Sequence, residues 1–178
     1  MAARATWLVV LLASGAGGLA VYTRSALPPP GPVWTETAWP LPRDQYPAGK
    51  AYDCTGSGCG GVARVTFRAK IGFCNCQTGV ADDEELERVG DADLVDPRAK
   101  ARAAGQEMHA GHMKGRSQLY AAGEGAAAKE FYSIAFNDRC DVIVATATGA
   151  GAPHAEKAAI EFLNSERVLK WAERVLGL

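Results

Sequence analysis

Residues 71–76 read IGFCNC, and Cys74 and Cys76, one residue apart, are the first side chains here with chemistry of their own. Two such thiols can be halves of two disulfides, ligands for a soft metal, or a redox pair. Cys54, Cys59 and Cys140 are the other cysteines. The spacings, C-x4-C followed by C-x-C, lack both the paired C-x2-C of zinc ribbons and the C-x-x-C of thioredoxin-like sites. Strand alternation puts Cys74 and Cys76 on one face with Cα atoms roughly 6.6 Å apart. That is near the upper end of what a disulfide spans, so each takes a different partner unless the chain bends. Cys54 and Cys59 flank a Gly-Ser-Gly loop in DCTGSGC that can close on itself or reach the strand. The expected arrangement staples this loop to the Cys74/Cys76 strand, or brings Cys140 into one of those bonds, and leaves one thiol over.

A second constellation lies in EMHAGHMKGR, where Met108-His109 and His112-Met113 mirror each other. Thioether favours Cu(I) and imidazole suits Cu(II), so these four residues form a candidate copper or zinc site, as do the cysteines. On a helix, Met108 would share a face with His112, and His109 with Met113. Gly111 disfavours that helix, although a loop can also wrap an ion. The plainer reading sends the methionines to the core and the histidines to water. No cofactor is expected otherwise. Asp91, Asp93 and Asp96 suggest a calcium loop but lack the bidentate Glu that would close it, so they read as a solvated acidic face. His154 with Ser133 or Ser165 makes a triad only on paper, because nothing local marks a nucleophile. GxGxxG, Walker A, HExxH and GxSxG stretches do not occur. The sequence therefore offers no catalytic residues.

The chain that must position these groups has 178 residues, 48% hydrophobic and 22% charged, which suits one globular domain. A net charge of −1 argues against a broad nucleic-acid surface. Residues 1–24 combine Arg4, an apolar run from Trp7, and small residues at Gly18 and Ala20. They read as a cleaved signal peptide, or as an anchor of about 18 apolar residues through Tyr22. Either exports the domain, to the periplasm or to the periplasmic side of the inner membrane. Residues 25–50 hold seven of the nine prolines and form a stiff extended segment. Its Trp34, Trp39 and Tyr46 are expected to bury against the domain rather than to await a ligand. Residues 51–178 form the globular unit.

Within that unit, VARVTFRAKIGF alternates with period two, a strand with Val65, Phe67, Ala69, Ile71 and Phe73 buried and Thr66, Arg68 and Lys70 wet. Asp82 or Asp83 caps a short helix through Val89, which Gly90 stops. Residues 98–117 show no clear period and read mostly as a connection. Ser117–Ala121, Phe131–Phe136 and Asp141–Thr146 read as strands, the last two a hairpin about Asn137-Asp138-Arg139. The C-terminal residues make two helices with apolar stripes, separated near Ser165. The fold class is α+β: a small antiparallel sheet with C-terminal helices packed on it, held by disulfides.

FRAKIGFCNCQTGVADDEELERVGD, AFNDRCDVIVAT and EFLNSERVLKWAERVLGL, within a stretch from about Trp34 to Leu178, resemble a group of proteobacterial exported or membrane-anchored proteins with no assigned activity. The resemblance implies a bacterial envelope setting and brings no catalytic residues. The expected function is non-enzymatic, through contact with an envelope protein partner; membrane contact would come from the N-terminal segment if it is uncleaved. Copper or zinc binding is the alternative.

Overall fold

Alternation in Val62–Lys70 does produce a strand, the third (β3) of an eight-stranded antiparallel sheet. A computed structural model describes residues 31–123, 128–149 and 154–178. The signal or anchor expected at residues 1–24 and the triple proline at 28–30 lie outside the described residues. Val33–Thr37 (β1) pairs with Lys50–Thr55 (β2), and β2 pairs with β3. Next to β3 lies Asp141–Gly149 (β8), then Lys129–Asp138 (β7) and Met113–Ala122 (β6). The two ends of β6 carry the short Lys100–Ala101 (β4) and Gln106–Ala110 (β5). The sheet is therefore larger than the small one expected. Three of its strands, β1, β4 and β5, come from segments that read as linker or connection.

The predicted β7–β8 hairpin forms, closed by Asp138 opposite Asp141, with Arg139 at φ 49° in its two-residue turn. Gly111, at φ 59°, opens the equally tight β5–β6 turn, a position that suits glycine. Both the expected C-terminal helices are present, Ala155–Leu163 (α3) and Glu166–Leu176 (α4), and they pack on one face of the sheet. Phe162 and Leu163 of α3 and Val168 and Ala172 of α4 join Val65, Phe67, Ile134, Phe136 and Ile143 in the main core. Trp34 stacks on Phe162 at 4.0 Å between ring centres, so an aromatic from the proline-rich segment does bury against the domain.

The opposite face differs from the expectation. Thr66, Arg68 and Lys70, predicted to be wet, are 3%, 1% and 4% exposed. That face is roofed by Asp83–Val89 (α1), Ala92–Val95 (α2) and the 71–82 loop. Beneath them Leu86, Val89, Val80 and Cys74 pack on Ala135, Val142 and Val144. The α1 helix starts and stops as predicted: the Asp82 carboxylate accepts from the Glu85 N–H, and the Gly90 N–H donates to the Leu86 carbonyl. Across this face Thr66, Thr146, Ser133 and Gln118 sit side by side on four neighbouring strands.

Candidate functional site

Arg68 lies at the centre of the roofed face, and its charge is answered from both directions along the chain. Its Nε and Nη2 donate to the two oxygens of Asp91 at 2.7 and 2.6 Å. Its Nη1 and Nη2 donate to the two oxygens of Asp44 at 2.6 and 2.7 Å. Four of the five guanidinium N–H groups are thus used in two forked pairs, the geometry that Arg provides and Lys cannot. Lys70, two residues on and on the same face, donates to the Val89 and Gly90 carbonyls and to Asp91 at 2.8 Å. All three ammonium donors are engaged, at the C-terminal end of α1 where the helix dipole favours a cation. Two cations and two anions make the cluster neutral.

Local sequence explains the delivery of each carboxylate. Gly90 takes an extended backbone after α1, which turns Asp91 down onto the sheet. A Cβ at Gly90 would come within 2.8 Å of the Ser133 hydroxyl, so only glycine passes this close. Asp44 is folded back by its own turn, accepting the Tyr46 N–H at 2.9 Å. Tyr46 and Trp39 then lie over the guanidinium at 5.5 and 5.8 Å, while Tyr46 and Phe73 lie over Lys70 Nζ at 5.1 and 5.5 Å. Burial works against the Arg68 charge, and the hydrogen bonds it donates to Asp44 and Asp91 outweigh that, raising the guanidinium above its usual pKa. The Arg68 hydrogen bonds hold the Asp44 carboxyl down to about 2. With these donors and acceptors spent on one another, the cluster is a clamp rather than a centre for proton transfer.

The candidate residues picked out by type and spacing fall elsewhere. Cys54 and Cys59 are joined to each other across the Ser57–Cys59 turn, so the loop closes on itself and is not stapled to the Cys74/Cys76 strand. Cys76 pairs with Cys140, in the β7–β8 turn. Cys74 is the free, buried thiol. Nor do Cys74 and Cys76 share a strand face, because β3 ends at Lys70 and Gly72, at φ 67°, turns the chain. Cys74 points into the second core while Cys76 is exposed. Burial pushes the Cys74 thiol up to about 11, helped by Glu85 and Asp141 and opposed by Arg88.

Met108 and Met113 are buried in the main core, 4% and 2% exposed, whereas His109 and His112 are exposed. They lie on a hairpin rather than a helix: alternation in β5 turns His109 away from the face that buries Met108, and His112 occupies the turn. The four side chains therefore do not converge. Asp91, Asp93 and Asp96 do not converge either, since Asp91 is given to Arg68 and Lys70. Among the described residues, no group of three or more His, Cys, Asp or Glu is arranged to hold a metal ion. His154 stands just before α3, away from Ser133, which lies on the opposite face under Gly90. Among the described residues no helix is long and apolar enough to cross a membrane.

Sequence reasoning misses the clamp because it places Arg68 and Lys70 in water and Asp91 on a solvated face. Two cations at i and i+2 on a strand, opposite an apolar face, are the available signal. Comparison with protein-family models, with curated proteins and with solved structures finds no match for this chain.

Proposed function

We propose that this chain is a non-enzymatic domain of the bacterial envelope, exported to the periplasmic side, which works by presenting a surface to another protein at the end of a proline-rich stalk. The observation that carries this reading is the way the stalk joins the domain. Residues 33–46 contribute an edge strand, an aromatic stack and the Asp44 half of the Arg68 clamp. Such an attachment ties residues 33–46 firmly to the domain, which suits a positioned binding module. Two disulfides agree with an oxidising, exported compartment.

The test is in-cell cross-linking of the full chain, followed by recovery from intact envelopes and identification of partners. A reproducible envelope protein that is lost when the domain surface is altered supports the reading. Recovery of the chain alone, with no repeated partner, overturns it.

A further inference from the structure

We propose that Cys74, Cys76 and Cys140 form a thiol–disulfide exchange centre, in which the buried Cys74 thiol displaces Cys76 from Cys140 and leaves the free thiol on the surface. Three observations converge on it. The Cys74 N–H donates to the Cys140 carbonyl at 3.1 Å. That bond brings the backbones of Cys74 and Cys140 into direct contact. The Cys74 thiol donates to the Arg139 carbonyl at 3.2 Å, which puts its sulfur beside the turn that carries Cys140. The existing Cys76–Cys140 bond is open to solvent on the Cys76 side, so the leaving sulfur has somewhere to go.

The step balances without any oxidant. Cys74 loses its proton to water, and the thiolate attacks Cys140 Sγ. The Cys74–Cys140 bond forms as the Cys76–Cys140 bond breaks, and the electron pair leaves on Cys76 Sγ, which takes up a proton. One thiol and one disulfide exist before and after. What changes is access: a thiol 6% exposed is replaced by one at the surface. An exposed thiol can form a mixed disulfide with the disulfide of another protein, whereas the buried one is out of another protein's reach. This inference does not depend on the partner-binding reading above, because it needs only the chain itself.

Charged groups around Cys74 set the rate. Burial leads in holding the thiol at about 11, Glu85 of α1 and Asp141 of β8 add to it, and Arg88 of α1 opposes it. Thiolate is therefore scarce at neutral pH, and its fraction rises about a hundredfold between about pH 7 and pH 9.

The experiment incubates the oxidised full chain across that pH range, traps free thiols with N-ethylmaleimide at intervals, and maps labels and disulfides without reduction. The expected result is label moving from Cys74 to Cys76, with a Cys74–Cys140 peptide appearing about a hundredfold faster at the upper pH, independent of protein concentration. Label confined to Cys74 throughout overturns the proposal, and so does a rate that scales with protein concentration, which means exchange between molecules. Cys76→Ser, oxidised in the same way, should contain a Cys74–Cys140 bond; two alkylated cysteines at 74 and 140 would overturn it. If that variant does not fold, the wild-type mapping decides alone.

Discussion

Replacing Asp91 by Asn removes one negative charge from the clamp and changes almost nothing else in size. Its side chain is 3% exposed and serves both Arg68 and Lys70. The neutral cluster becomes net positive in a place that water does not reach. Breaking a buried pair in this way costs about 3–5 kcal/mol, because the cost is that of the stranded cation rather than of the lost contact. Asp44→Asn acts on the same guanidinium but should cost much less. Its side chain is 29% exposed, and Arg68 keeps its forked bond to Asp91. Lowering a carboxyl from 3.8 to about 2 corresponds to about 2 kcal/mol, and solvent screening brings this to about 1–2 kcal/mol. The two variants also differ in pH dependence. Asp44 titrates lower in the folded chain than in the unfolded one, so its contribution is fully present above about pH 4 and disappears as pH falls through about 2. Urea unfolding, followed by tryptophan fluorescence, reads both effects. With a slope of about 2 kcal/mol per molar, Asp91→Asn lowers the midpoint by about 2 M and Asp44→Asn by about 0.5–1 M. The gap between wild type and Asp44→Asn should close between about pH 4 and pH 2. Equal midpoint losses for the two variants would refute the reasoning, as would a loss below about 0.5 M for Asp91→Asn or a gap that persists at the acid end.

The remaining expectations concern other parts of the fold. Removing the Cys76–Cys140 bond by paired serine substitution frees a loop spanning 64 residues and should cost about 4 kcal/mol in guanidinium unfolding. The Cys54–Cys59 bond closes a span of only 5 and should cost about 2 kcal/mol by the same chain-entropy relation. Gly115→Ala places a Cβ 2.0 Å from the Ala135 carbonyl of the paired strand; loss of more than about 3 kcal/mol or failure to fold is expected by thermal melting. Met108→Ala should cost about 2–5 kcal/mol, whereas His109→Ala and His112→Ala should stay within about 0.5 kcal/mol of wild type. Titration of these three variants with Cu(I) would oppose the structural reading of the hairpin if the histidine changes abolished tight binding.

The legible elements carry their instructions locally. The α1 helix has its cap, acidic first turn and stop within nine residues, and the β7–β8 hairpin joins two apolar runs through a turn-like break. What escapes a sequence reading is set at a distance. Arg68 is answered by Asp44, 24 residues before it, and by Asp91, 23 residues after it. Neither interval has a period that a sequence pattern can register, so alternation alone sends Arg68 and Lys70 to water. The β1 strand, VWTET, is hidden by the prolines on both sides, which mark its ends rather than exclude it. In MHAGHM the symmetry of residue types suggests one shared site. The two-residue turn falls at Gly111-His112 instead, so alternation buries both methionines and leaves the histidines outside. The cysteines show that a thiol is left over, but which one depends on β3 ending at Lys70.

The placement of the clamp bears on why a buried ionic cluster occurs where apolar side chains would pack more cheaply. A hydrophobic contact tolerates sliding, since its energy follows area rather than direction. Two forked carboxylates on one guanidinium do not, because each pair fixes both distance and angle. Segment 38–49 is an irregular, proline-rich connection that crosses the second face between two hydrogen-bonded strands. Few backbone bonds restrain it, so its position depends on side chains. Trp34 anchors one side of it to α3, on the helical face, and Asp44 anchors the other to Arg68, on the roofed face. The segment is thereby held from both faces of the sheet near its edge. Loss of Asp44 should loosen this segment before it loosens the core, which is the same inequality that separates Asp44→Asn from Asp91→Asn.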